Sequence, residues 1–131
     1  MRPITVLLAE DHTIVREGLR ALLEESGEFE VVGQAKDGYV ALQLAEQLSP
    51  DVVVMDISMP NLNGLEATSR LRHLSPAPRV IILSQYRREE YVVQSLVAGA
   101  KGYVLKDSVV DELAEAIRTV FGFIPVGAVA A

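Results

Sequence analysis

Asp56 closes the apolar run Val52-Val53-Val54-Met55, and two other apolar runs end on groups able to reach it: Glu10-Asp11 after Val6-Leu7-Leu8-Ala9, and Lys106 after Tyr103-Val104-Leu105. If these runs are parallel strands lying side by side, their C-terminal ends meet at one sheet edge, where open α/β folds place ligand sites. Three carboxylates gathered there repel one another unless a cation sits among them, and a hard divalent ion such as Mg²⁺ takes oxygen ligands of this kind. A lysine in the same place supplies a point charge for a phosphoryl oxygen. The residue types therefore point to joint binding of metal and phosphate.

Positioning those groups requires a sheet, and the hydrophobic pattern supplies one. Thr5 to Ala9, Asp51 to Asp56, Arg79 to Ser84 and Gly102 to Leu105 are short, continuous and rich in β-branched residues, as strands covered on both faces are. A fifth run, Glu30 to Ala35, is more mixed and suits a sheet edge. Between the strands lie stripes of helical period. They are Val15, Leu19, Leu22 and Leu23; Ala41, Leu44, Ala45 and Leu48; Gly64, Ala67, Leu71 and Leu74; Val92, Ser95 and Leu96; and Val110, Leu113, Ala114, Ile117, Val120 and Phe121. Asn63 is placed to cap the third helix, and Ser108 with Asp111 to form a capping box on the fifth. Strict alternation of five strands and five helices predicts an α/β fold, a (βα)5 doubly wound parallel sheet in the order 2-1-3-4-5 with right-handed crossovers.

The 131 residues, half of them apolar, make one domain with a real core. A net charge of −6 argues against a nucleic-acid backbone binder, which needs a basic face. Without cysteine there is no disulfide, thiolate metal site or thiol nucleophile. The N-terminus lacks a signal-peptide layout and no apolar run is long enough to cross a bilayer, so a cytoplasmic protein with no membrane partner is expected. Residues 1–121 form the expected domain, and 122–131 an apolar tail or the start of a linker in which Pro125 opposes further helix. His12 and His73 have no second histidine or cysteine at ligand spacing and are read as ordinary surface residues.

From Ile4 to about Phe121 the chain resembles the receiver domain of bacterial two-component response regulators. The matching motifs are Ala9-Glu10-Asp11-His12, Met55-Asp56-Ile57-Ser58-Met59-Pro60-Asn61-Leu62-Asn63-Gly64, Leu83-Ser84 and Gly102-Tyr103-Val104-Leu105-Lys106-Asp107. Gly64-Leu65-Glu66-Ala67, Glu90-Tyr91-Val92 and Ala98-Gly99-Ala100-Lys101-Gly102-Tyr103 resemble the LuxR/NarL-type transcription regulators. The resemblance implies that Asp56 accepts a phosphoryl group from a sensor histidine kinase. It implies Mg²⁺ on the side chains of Asp11 and Asp56 and the backbone oxygen of Ser58, with Glu10 acting through water. Lys106 and the Ser84 hydroxyl would hold phosphoryl oxygens, with backbone amides near Ile57 and Gln85 completing the cradle. Ser84 and Tyr103 would form the switch, read out on the surface of the fourth helix, fifth strand and fifth helix near Val93 and Val97. The chain would then be a phosphoacceptor that assists its own phosphoryl transfer and dephosphorylation, not a turnover enzyme.

By the same resemblance, a phosphorylation-linked homodimer is expected, through that face or through the first and fifth helices. DNA would be reached only through a C-terminal helix-turn-helix domain that this chain does not include. The alternative is a stand-alone or phosphorylation-independent receiver acting as an interaction module. Two departures stand out. Asp107 follows Lys106 where many receivers have proline, and Ser58 and Tyr86 occupy the positions that tune access of water to the phosphate. A flavodoxin would carry a Ser/Thr/Gly-rich phosphate loop where Glu10-Asp11 stands, and a haloacid-dehalogenase-type phosphatase would need a second aspartate where Ser58 stands.

Overall fold

Val6 to Leu8, Val52 to Met55 and Ile81 to Leu83 are almost wholly removed from water. Successive strand side chains point to opposite faces, so a run buried at every position needs cover on both sides. The computed structural model, which describes residues 2–122, provides that cover with helices. The elements are β1 (Ile4–Ala9), α1 (Thr13–Glu24), β2 (Phe29–Ala35), α2 (Gly38–Leu48), β3 (Val52–Asp56), α3 (Gly64–Leu71), β4 (Arg79–Ser84), α4 (Glu89–Ala98), β5 (Gly102–Leu105) and α5 (Val109–Gly122), with a 3₁₀ turn over Lys106–Ser108. All strand pairs are parallel, in the expected order β2-β1-β3-β4-β5.

Alternation along the strands divides the core in two. Leu7, Val53, Met55 and Ile82 pack with Ala41, Ala45, Ala67 and Leu71 on the face of α2 and α3. Val6, Leu8, Val52, Val54, Ile81 and Leu83 pack with Leu19, Leu23, Leu113 and Ile117 on the face of α1 and α5. Strand register then aligns the functional ends. Ala9 pairs with Met55, Asp56 with Leu83 and Ser84 with Leu105. Glu10, Asp56, Ser84 and Lys106 consequently emerge along one edge.

The loops at that edge are pinned locally. The Asn63 side chain caps α3 through Glu66 N at 2.9 Å, as expected. A Cβ on Gly64 would lie 2.0 Å from the Asp56 carbonyl oxygen, so only glycine lets α3 start this close to the end of β3. Asp37 caps α2 through Val40 N at 2.9 Å and accepts from Asn61 Nδ2 at 2.8 Å, tying the β3–α3 loop to α2.

Two expectations need correction. Ser108 does not close a capping box with Asp111: the chain enters α5 through the 3₁₀ turn, and the Ser108 hydroxyl donates to Asp107 Oδ1 at 3.4 Å. Val15, Leu48, Leu96 and Val110 belong to helical stripes but are exposed. Val15 and Val110 line an open groove between α1 and α5. Val93 and Val97, expected at the readout surface, are 49% and 71% exposed; Ser95 takes the inner face of α4, donating to Tyr91 O at 2.8 Å. The expected apolar tail lies outside the described residues from Phe123 onward, while Gly122 belongs to α5. Among the described residues no helix is long and apolar enough to cross a membrane.

Candidate functional site

Asp56 is 3% exposed at the end of β3, and its environment decides its chemistry. The Lys106 ammonium stands 3.2 Å from Asp56 Oδ2 and 3.3 Å from Glu10 Oε1, bridging two buried carboxylates. The Ser58 amide lies 3.4 Å from Asp56 Oδ1. Burial, and then repulsion from Glu10, push the Asp56 carboxyl up to about 6 despite the lysine. Burial acts on Glu10 in the same direction but is outweighed by hydrogen bonds from His12 and by Lys106, so its carboxyl is held below the usual range. The ammonium is itself desolvated, yet the two acids raise its affinity for its proton.

Glu10 and Asp11 do not stand alone. The His12 amide and Nδ1 reach Glu10 Oε2 at 3.1 and 3.0 Å, and Nδ1 lies 3.3 Å from Asp11 Oδ1. The hydrogen bond that Nδ1 donates to Glu10, then the charge of Asp11, raise the imidazole above its ordinary range. His12 is thus a member of the acidic site, contrary to the sequence reading; the signal was its place directly after the acidic pair. Among the described residues the buried atoms Glu10 Oε1 and Asp11 Oδ1 have no hydrogen-bond partner, since their approaches to Lys106 and His12 lack hydrogen-bond geometry. Buried carboxylate oxygens left without donors suit a hard divalent cation, so the residues fit Mg²⁺. The group of ligand atoms lying within 4.8 Å of one another is Glu10, Asp11 and His12; Asp56 falls outside it.

Ser84 is buried at the end of β4, where its Oγ accepts from the Tyr86 amide at 2.9 Å. Tyr86 links several parts of the site. Its ring stacks on Tyr91 at 4.3 Å, its hydroxyl lies 3.4 Å from Ser58 Oγ, and its carbonyl accepts from the Tyr103 hydroxyl at 2.7 Å. Tyr103 is therefore half-buried and tied to the β4–α4 loop, not an aromatic with its hydroxyl in water. Removing that hydroxyl with Tyr103→Phe is expected to lower stability by about 1 kcal/mol, measured by urea unfolding, because a part-buried carbonyl loses its donor. The amides engaged here are those of Ser58 and Tyr86; Ile57 and Gln85 take no part in these bonds. Arg87 pairs with Asp107 across the outer rim, using the residue that stands in place of proline.

Sequence reasoning missed two supports. Arg16 Nη1 donates to the Glu10 carbonyl at 2.7 Å, holding the loop that carries the acidic pair. Asp37 and Asn61 brace the β3–α3 loop from the other side. The Asp37-Gly38 pair at a strand end was a legible helix-cap signal, whereas nothing local marked Arg16.

A parallel sheet in this order, with a buried aspartate on its central strand and a lysine and acidic pair at the same edge, defines the receiver class of signalling domains. The chain belongs to the response regulator receiver domain family, whose model matches residues 6–118. Among curated proteins it is 40% identical over 116 residues to the nitrate/nitrite response regulator protein NarL of Escherichia coli K12, covering 88% of this chain and 54% of that protein. It is 43% identical over 117 residues to the transcriptional regulatory protein DegU of Brevibacillus brevis, covering 89% and 50%. The signal receiver domain of the putative response regulator NarL from Mycobacterium tuberculosis superposes with a TM-score of 0.90 at 33% identity, covering 95% of this chain and 100% of that one. The chain is thus a receiver of the NarL/LuxR type, and it spans about half the length of these curated relatives. Receiver domains bind Mg²⁺ at an acidic pocket, and this chain gathers Glu10, Asp11 and His12 in an acidic cluster.

Proposed function

We propose that Asp56 accepts a phosphoryl group from a phosphohistidine on a sensor histidine kinase. The observation that carries this reading is a desolvated carboxylate at a strand end with a lysine ammonium 3.2 Å away. In the transfer an Asp56 carboxylate oxygen bonds to phosphorus as the phosphorus–nitrogen bond breaks, and the bonding pair leaves with the imidazole. Such transfers are governed by positioning and charge neutralisation. Lys106 would turn from the carboxylate toward a phosphoryl oxygen. Asp11, Asp56 and the Ser58 carbonyl would hold Mg²⁺, with Glu10 through water. Bound there, the metal neutralises charge on the transferring group.

A phosphoryl group adds about −1.5 to −2 charge and strong acceptor oxygens. The Ser84 hydroxyl proton is free to donate to one of them, since its oxygen is the acceptor in the bond from Tyr86. Drawing Ser84 inward pulls on Tyr86 and, through its carbonyl, on Tyr103. That path leads to α4, β5 and α5, where Val93, Leu96 and Val97 stand exposed. Pairing of two chains through this face, or through Val15 and Val110 on α1 and α5, would pass the signal to a DNA-binding output domain in the full-length protein.

Intact mass after incubation with acetyl phosphate and Mg²⁺ tests the reading. A single metal-dependent phosphoryl adduct, absent from Asp56→Asn, is expected, with the adduct sedimenting as a dimer. An unmodified mass, also with candidate kinases, would leave a phosphorylation-independent interaction module. An adduct that stays monomeric at high concentration would remove the dimer.

A further inference from the structure

We propose that Asp37 is a positioning residue for the metal-dependent chemistry of Asp56: through its hydrogen bond to Asn61 it fixes the β3–α3 loop that presents the Ser58 backbone to the site. The inference rests on the reading of the Ser58 carbonyl as a metal ligand and names what holds that carbonyl in place. Residues 57–63 lead from β3 into α3, and the neck of this loop is closed by the Gly64 amide, which donates to the Ile57 carbonyl at 2.8 Å. Beyond the neck, Ser58 has little of its own to hold it. It is exposed, its amide lies 3.4 Å from Asp56 Oδ1, and its Oγ is 3.4 Å from the Tyr86 hydroxyl. The tip is anchored instead, by the start of α2. Asn61 Nδ2 donates to Asp37 Oδ2 at 2.8 Å, and the Gly38 amide donates to the Leu62 carbonyl at 3.1 Å. The approach is so close that a Cβ on Gly38 would lie 2.3 Å from the Leu62 oxygen.

Asp37 is 5% exposed, and a carboxylate can only accept, so both of its oxygens need donors. Oδ1 takes the Val40 amide at 2.9 Å and caps α2, which leaves Oδ2 for the loop. A cap alone needs a single oxygen, and serine supplies one. The helix therefore has no use for the second oxygen of Asp37. Asn61 stands at φ 69°, in the left-handed region, where asparagine and glycine are favoured for backbone reasons alone. Conformation and side-chain link are separable at this position, because glycine keeps the first and loses the second. Outer partners that orient metal ligands typically cost about 10–100-fold in metal affinity when removed. Asp37 acts on the Ser58 carbonyl through the backbone from Asn61, so a smaller effect of about fivefold is expected.

Intact-mass time courses of the full chain with acetyl phosphate, over a series of Mg²⁺ concentrations, separate half-saturating metal from maximal rate. Asp37→Ser keeps the cap and Asn61→Gly keeps the backbone conformation. Each is expected to raise half-saturating Mg²⁺ about fivefold, and the double variant no further. Asp37→Asn is expected to stay within about twofold of the native chain, because Asn61 can turn its amide over and accept from the new donor. Urea unfolding checks that each variant is folded at the assay temperature. Unchanged metal dependence in Asp37→Ser and Asn61→Gly, additive losses in the double variant, or a loss in Asp37→Asn equal to that in Asp37→Ser would make the contact a structural brace only and overturn the proposal. If the native chain takes up no phosphoryl group, the phosphoacceptor reading fails on its own, and calorimetric titration with Mg²⁺ alone decides the positioning role. About fivefold weaker binding by Asp37→Ser would then sustain it, while equal binding, or none by the native chain, would overturn it.

Discussion

Asp56→Asn is expected to be more stable than the native chain at neutral pH, although it removes a buried ion pair. The native carboxylate is desolvated and repelled by Glu10, and these effects exceed what Lys106 returns, so its pKa stands near 6 instead of 3.8. A group raised in the folded state holds its proton more tightly there than in the unfolded chain. Stability associated with that proton is therefore present at low pH and lost as pH rises through about 6. At pH about 7.5 the native protein carries the full penalty of the charge, which the amide does not. Lys106 keeps its second partner, Glu10, at 3.3 Å. After allowance for solvent screening, the gain is about 1–2 kcal/mol, or several degrees in Tm. Thermal unfolding of both proteins between pH about 4 and 8 should show the difference shrinking as pH falls through about 6. A variant less stable at every pH would mean that the pair with Lys106 outweighs desolvation.

Lys106→Met should act with the opposite sign and a larger magnitude. Methionine fills the space of the lysine stem but leaves Asp56 and Glu10 buried with their shared cation gone. Breaking a fully buried pair from one side costs about 3–5 kcal/mol. The Lys106 side chain is 28% exposed, so water recovers part of this and a loss of about 2–3 kcal/mol is expected. The loss should be greatest where both carboxylates are ionised. Without the ammonium that lowers them, both pKa values rise, and protonation relieves the repulsion from above pH about 6 downward. Urea unfolding at pH about 7.5 and about 5 checks the sign: an unchanged deficit at the lower pH would assign it to packing. Taken together, the two variants separate what Asp56 does to stability from what it does in phosphoryl transfer. A residue kept for folding would not make the protein more stable when neutralised.

The exposed valines show where periodicity stops being informative. Val15 and Val110 keep the helical spacing of Leu19 and Leu113, yet the first two face an open groove and the last two are buried. Spacing places a side chain on a stripe, but burial depends on how far the opposing sheet extends beneath it. Ser108 failed as a cap for a related reason: the turn after β5 is 3₁₀, and the hydroxyl found a nearer partner in Asp107.

What the amino-acid sequence determined by itself was the alternation of strands and helices, the sheet order and the edge that gathers Glu10, Asp11, Asp56, Ser84 and Lys106. These follow from local hydrophobic patterning together with the handedness of crossover connections, both of which are readable residue by residue. Only the tertiary structure decided how those groups share charge. That Lys106 bridges Glu10 and Asp56, that His12 turns onto the acidic pair, that Tyr103 is tied to Tyr86, and that Asp37 reaches Asn61 are matters of side-chain direction across loops. Such contacts join residues distant in the chain, or set a rotamer within a loop, and they form only when packing has removed the competing water.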